Sequence, residues 1–202
     1  MPLIPSTAPS FYETNEACDI FIAQYTPYTP REDGVVGGAL GLDTTTGQSL
    51  NNLFKVINLD PVLNPMDTQY AKVFLKNTST KSLYDIRIWI EQSENAPEVW
   101  GIAVENQKNM DDRDTINNPA STIPNEKTAP DPALLTNYIT GQWQNPLGYN
   151  SAIFINPLRE AAILDPGDTI GIWVKREITY SNLLSAGGPG EMILAVVFGM
   201  PN

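Results

Sequence analysis

One stretch of this chain alternates strictly between two parities: Tyr84, Ile86, Ile88 and Ile90 on one, and Asp85, Arg87, Trp89 and Glu91 on the other. Successive side chains of a strand point to opposite faces of a sheet, so the pattern demands a strand with one core face and one outer face. It recurs twice. Between Glu98 and Glu105, Trp100, Ile102 and Val104 read as inward, and Val99, Gly101 and Ala103 as opposite. Later, Ile170, Ile172 and Val174 alternate with Gly171, Trp173 and Lys175. The run from Met192 to Phe198 is apolar on both parities, which predicts a central or covered strand.

Further strands are expected over Asn52–Ile57, over Tyr70–Asn77 (closed by the turn-prone Asn77-Thr78-Ser79-Thr80) and over Ala152–Ile155. Pro132–Ile139 reads equally as a short helix or a strand. The segment from Asn106 to Asp131 has almost no apolar period, and an irregular stretch of that length is usually functional or disordered. Proline numbers 17, against roughly 10 at average usage, and proline disfavours helix interiors. The fold class expected is all-β: an antiparallel β-sandwich, immunoglobulin-like or jelly-roll-like, with an extended N-terminal arm. Residues 1–50 form the arm, and 51–202 the sandwich domain with a long loop at 106–131. A chain of 202 residues can bury roughly 70% of its unfolded surface, enough for a core without staples.

The arm is inferred from its punctuation. Pro2, Pro5, Pro9, Pro27 and Pro30 interrupt it, and Gly34, Gly37, Gly38, Gly41 and Gly47 follow. Asp19–Ala23 is its one strand-like run. Five aromatics (Phe11, Tyr12, Phe21, Tyr25 and Tyr28) are too many for a solvated tail, so the arm is expected to dock against a partner.

Charge and residue inventory exclude several functions. Twelve basic against 23 acidic side chains leave a net charge of −11, which argues against nucleic acid and against an anionic membrane as partners. Histidine is absent, removing Ser-His-Asp and Cys-His catalysis and the commonest metal ligand. Cys18 is the one cysteine, so no intrachain disulfide or CxxC pair can form. The start has no signal-peptide pattern and no apolar run reaches membrane-span length, so a soluble protein made in a reducing cytosol is expected.

Candidate chemistry reads the same way. Asp111, Asp112 and Asp114 are adjacent rather than spaced as a calcium loop, and no glycine follows them, so a solvated loop is favoured. Glu91, Glu94, Glu98 and Glu105 offer carboxylate pairs only in the way any acidic chain does. The glycines of Val36–Leu42 lack the basic anchor of a phosphate loop. No catalytic residue, cofactor or metal is assigned, and a non-enzyme is expected. Trp89 and Trp173 fall on the outer parity of their strands, where a tryptophan is covered by a loop, meets another subunit, or stacks on a sugar. Partner contacts are therefore expected at Phe11, Tyr12, Phe21, Tyr25, Tyr28, Trp89 and Trp173.

Three segments occur in a recognisable order: Val73–Ser79 with its Lys-Asn-Thr-Ser bend, Leu83–Trp89, and Leu164–Trp173 with a Leu-Asp-Pro-Gly-Asp corner. Over about residues 52–198 this resembles immunoglobulin-like modules of the bacterial and phage kind. The run Leu164–Arg176 resembles a strand of structural proteins of tailed bacteriophages. That resemblance implies a virion protein, assembled in the host cytoplasm, acting as capsid decoration or cement, or in the tail or neck. Its partners would be other virion proteins and copies of itself. The alternative is a carbohydrate-binding or adhesive β-sandwich that meets a surface glycan through tryptophan and tyrosine.

Overall fold

The period-two runs become strands, and their inward parity becomes the core. The computed structural model describes residues 3–4, 9–11, 18–44, 53–55, 57–92, 97–109, 121–135, 143, 148, 150, 153–154, 163–185 and 192–199. Its strands are β1 (Leu3–Ile4), β2 (Pro9–Phe11), β3 (Cys18–Tyr25), β4 (Val36–Thr44), β5 (Ile57–Asn58), β6 (Met66–Asn77), β7 (Tyr84–Gln92), β8 (Glu98–Lys108), β9 (Thr122–Ile123), β10 (Ile153–Phe154), β11 (Thr169–Thr179) and β12 (Met192–Gly199). A short helix α1 (Tyr180–Ser185) follows β11. The chain is mostly β.

Six strands form one sheet in the order β8-β11-β6-β3-β4-β9, and four form another in the order β10-β7-β12-β2. β1 and β5 make a small separate ladder. Pairing is antiparallel except between β12 and β2, which run parallel from Met192↔Pro9 to Leu194↔Phe11. The longest ladder joins β11 to β6 from Thr169↔Lys76 to Thr179↔Met66.

The main core takes side chains from both sheets. Ile86, Ile88 and Ile90 of β7 lie in one buried cluster with Ile170, Ile172 and Val174 of β11, as the alternation requires. Ala71, Val73 and Leu75 of β6 and Trp100, Ile102 and Val104 of β8 join it. Burying one such side chain contributes about 1.5–3 kcal/mol, and a one-residue slip of register would turn the whole set to the other face.

The arm boundary expected at residue 50 does not hold. β3 pairs with β6 from Cys18↔Asn77 to Ile22↔Val73, and Cys18 and Ile20 are buried in the main core. The strand-like run Asp19–Ala23 is thus a strand of the main sheet; its alternation, Cys18 and Ile20 against Asp19 and Phe21, is short, and its proline-rich flanks give the segment the punctuation of an arm. Of the strand expected over 52–57, residues 53–55 lie outside any strand and Ile57 opens β5, though Leu53 and Phe54 are buried and Phe54 packs on Trp100 with ring centroids 5.6 Å apart. The undecided segment after residue 131 opens as a 3₁₀ turn, Pro132–Leu134, capped by the Asp131 carboxylate accepting from the Ala133 N–H at 2.9 Å. The loop expected at 106–131 is narrower, because β8 continues to Lys108 and β9 lies within it.

The six-stranded sheet curls. Val36 of β4 and Ile123 of β9 pack in a second buried cluster with Ala103 of β8 and Trp173 of β11, which lie on the face of the sheet turned away from the main core. Gly37 permits this closeness: a Cβ there would lie 2.8 Å from the Trp173 ring and 2.9 Å from the Ser121 carbonyl oxygen, and its φ of +97° suits glycine.

Candidate functional site

The seven residues expected to meet partners are dispersed. Trp173 is fully buried and Trp89 is 7% exposed, so both tryptophans are covered in the folded chain. Trp173 does lie on the outer parity of β11, but the curl of β4 and β9 over β11 covers it, and the sugar-stacking reading loses its two tryptophans with it. Phe21 is half-buried on β3, with the Lys76 ammonium 5.6 Å from its ring centroid. Tyr25 is half-buried at the end of β3 and lines an open cleft with Pro30, Arg31, Glu32 and Asp33. There the Arg31 guanidinium holds the Asp33 carboxyl down at about 2. Tyr28 is exposed. Phe11 lies on β2, beside Leu194 in register, and Tyr12 lies outside the described residues, as do Asp111, Asp112 and Asp114.

Beneath the curl lies a charge network that sequence reasoning missed. Lys72 of β6 and Glu105 of β8 are both wholly buried, and the Lys72 Nζ stands 2.7 Å from Glu105 Oε1. Between their strands runs β11, and the pair meets across it above Gly171. A Cβ on Gly171 would lie 2.8 Å from Lys72 Cε and would collide with the Glu105 carboxylate, so the crossing needs glycine. Lys72 donates to Ser121 Oγ at 2.8 Å, Ser121 donates to Glu105 Oε1, and Trp173 Nε1 donates to the same oxygen at 3.0 Å. Glu105 Oε2 has no hydrogen-bond partner among the described residues. The Lys72 ammonium also lies 4.5 Å from the Phe74 ring centroid. With every member buried, this network cannot receive a substrate as folded; it fixes residue 121 and the curl onto the sheet.

A second buried cation packs against the main core. Arg176 of β11 donates to the Lys55 carbonyl at 2.5 Å and stacks 5.1 Å from the Phe54 ring centroid. Burial pulls its pKa down to about 10.

The clearest surface feature is a rigid turn with an apolar tip. Asp60 Oδ1 accepts from the N–H groups of Val62 at 2.8 Å and Leu63 at 2.9 Å, which also holds the carboxyl below its usual range. Asp60 and Asn64 exchange backbone hydrogen bonds of 3.0 and 3.1 Å, and Asn64 Nδ2 donates to the Asn58 carbonyl at 3.0 Å. This frame presents Val62 at 82% exposure and Leu63 at 86%. The sequence signal was available: two apolar residues bracketed by Asp60-Pro61 and Asn64-Pro65, both turn dipeptides.

Comparison of the chain with protein-family models, with curated proteins and with solved structures finds no match in any of the three.

Proposed function

We propose that the protein is a non-enzymatic structural subunit of a virus particle of the tailed-phage kind, acting by association with other virion proteins and with copies of itself. The observation that carries this reading is the path of the chain. From β6 to β7, from β7 to β8, from β10 to β11 and from β11 to β12, each connection passes from one sheet to the other. β12, the last strand, lies between β7 and β2. That alternation supports a jelly-roll-like sandwich, an architecture that recurs in viral capsid proteins and also in lectins and cupins. The step from architecture to role is by analogy. It is joined by the resemblance of Leu164–Arg176 to phage structural proteins and by an apolar turn held in a fixed shape, which lowers the ordering cost of a contact.

The test is association with particles. Purified, labelled protein should co-sediment with particles of the phage that encodes it when those particles have been assembled without it. Esterase, protease and glycosidase substrates should show no turnover. Absence from wild-type particles, judged by mass spectrometry of the purified virion, would overturn the reading.

A further inference from the structure

Apolar exposure is not spread evenly over the molecule. Of the eight large hydrophobic side chains exposed among the described residues, Val62, Leu63, Met66, Val99 and Leu184 lie at one end of the six-stranded sheet. Met66 and Thr179 are the last register partners of β6 and β11, and Glu98 is paired to Ile178 beside them. Tyr180, which opens α1, donates its N–H to the Pro65 carbonyl at 2.8 Å, so α1 with Leu184 sits against the base of the turn. Under this end lies a small third core of Ile57, Leu59 and Ile178, with Tyr180 and Leu183 only partly covered.

Several charges around the same end are paired off. Lys55 is 2.8 Å from Glu126, Lys127 pairs with Asp67, and Lys175 stands 3.6 Å from Glu177. The Asp60 carboxylate is turned onto two N–H groups of its own turn. The whole chain carries −11, so two copies repel unless they meet where the field is locally cancelled. A basic partner would be recognised by an acidic surface; an apolar end whose charges are mostly paired suits a second copy of an acidic chain.

We infer that this end, centred on Val62 and Leu63 with Met66, Val99 and Leu184 around them, is the contact between copies of this chain. It deepens the reading of the protein as an associating subunit by naming the surface and the occupant. Because the contact is apolar while the bodies repel, association strengthens as salt screens the distant charges.

Sedimentation velocity of the full chain over a range of concentrations, at low and high salt, tests this. Wild-type protein should self-associate, more tightly at high salt. Val62→Asp with Leu63→Asp should weaken association by at least about tenfold, a loss of about 1.4 kcal/mol, and Leu184→Asp should do likewise. Ile163→Asp, at another exposed apolar position, should leave it unchanged. At concentrations where the wild type is monomeric, melting temperatures should match it, since the turn is held by its backbone and Asp60. Oligomers indifferent to all three tip changes would overturn the inference. So would a wild-type monomer at every concentration and salt, or a monomer that binds neutral phosphatidylcholine vesicles through the tip. Each of these leaves the particle co-sedimentation result standing by itself, so failure of the surface and failure of the function are separable.

Discussion

Asn77 donates from its side-chain Nδ2 to the carbonyl of Leu164 at 2.9 Å, although 87 positions separate them. The same Nδ2 donates to the Lys81 carbonyl at 2.8 Å, and Asn77 Oδ1 accepts from the Ser79 N–H and hydroxyl. Its backbone N–H donates to the Asp168 carbonyl, and its carbonyl accepts from Gly167. The Asn-Thr-Ser bend after β6 and the Pro-Gly corner before β11 are thus one structure, joined through a fully buried asparagine. Asn77→Ala leaves the Leu164 and Lys81 carbonyls short of a donor. The expected loss is about 2–4 kcal/mol, from lost hydrogen bonds and unsatisfied groups. Urea unfolding measures it, and a loss under about 0.5 kcal/mol, the range of an ordinary surface change, would show that the corner holds without the bend.

Lys72 and Glu105 should behave as a unit. Removing one partner strands a buried charge, so Lys72→Met or Glu105→Leu alone should cost about 3–5 kcal/mol. The double variant should recover most of that, because a buried ion pair replaced by apolar side chains of similar volume is often near neutral. A double-mutant cycle on unfolding free energies reads the coupling. Additive single losses would mean that the two charges do not depend on each other.

Much of the sheet was legible because β7, β8 and β11 each bury one parity, and that parity is written as isoleucine, valine and tryptophan. The inward sets found at Ile86, Ile88 and Ile90 and at Ile170, Ile172 and Val174 are the ones read from the pattern. β3 was legible as the strand-like run Asp19–Ala23, but its place in the main sheet was not: it buries only Cys18 and Ile20 fully in the main core, with Ile22 partly buried against it, between flanks rich in proline. The buried network was out of reach of local reading. Lys72, Glu105 and Ser121 come from three segments, and Lys72 sits on what reads as a solvated parity until the curl of β4 and β9 covers it. Trp173 shares that history. Outer parity in a sheet means solvent only if nothing folds back over it, and here Gly37 and Gly171 provide the clearance for that return.

Acid should loosen the corner beside β11. Burial pushes the Asp168 carboxyl up, but hydrogen bonds from Lys108 (ion pair 2.6 Å), Asn109 and the Asp165 N–H more than reverse this, and its pKa is lowered overall. The Asp165 carboxyl is lowered too, by the Ser82 hydroxyl first and then by Lys108. Carboxyls lowered in the folded state are more protonated in the unfolded chain at the same pH. Their contribution is therefore complete above the ordinary carboxylate range and is lost as pH falls through and below it. Lys108 works in the other direction. Burial alone would lower its pKa, yet Asp168 and Asp165 raise it, so its contribution is complete below the ordinary lysine range and fades above it. Stability should fall from about pH 5 downward through about pH 3, and Asp168→Asn should flatten part of that slope. Urea midpoints across the range decide it; an unchanged slope in the variant would assign the acid sensitivity elsewhere.

Truncation from the N-terminus should show a sharp boundary near residue 18. Deleting residues 2–11 removes β1 and the parallel edge strand β2, neither of which lies between two others in its sheet. The remaining chain keeps β3 and should still melt cooperatively. Deleting residues 2–30 removes β3, which lies between β6 and β4 and contributes Cys18 and Ile20 to the main core. β4 then keeps only β9 beside it and loses its link to the rest of the sheet, and with that link the support for Val36 over Trp173. The longer deletion should abolish the cooperative melt seen by circular dichroism. A cooperative transition surviving that deletion would return residues 18–30 to the role of an arm and leave the sheet to form without them.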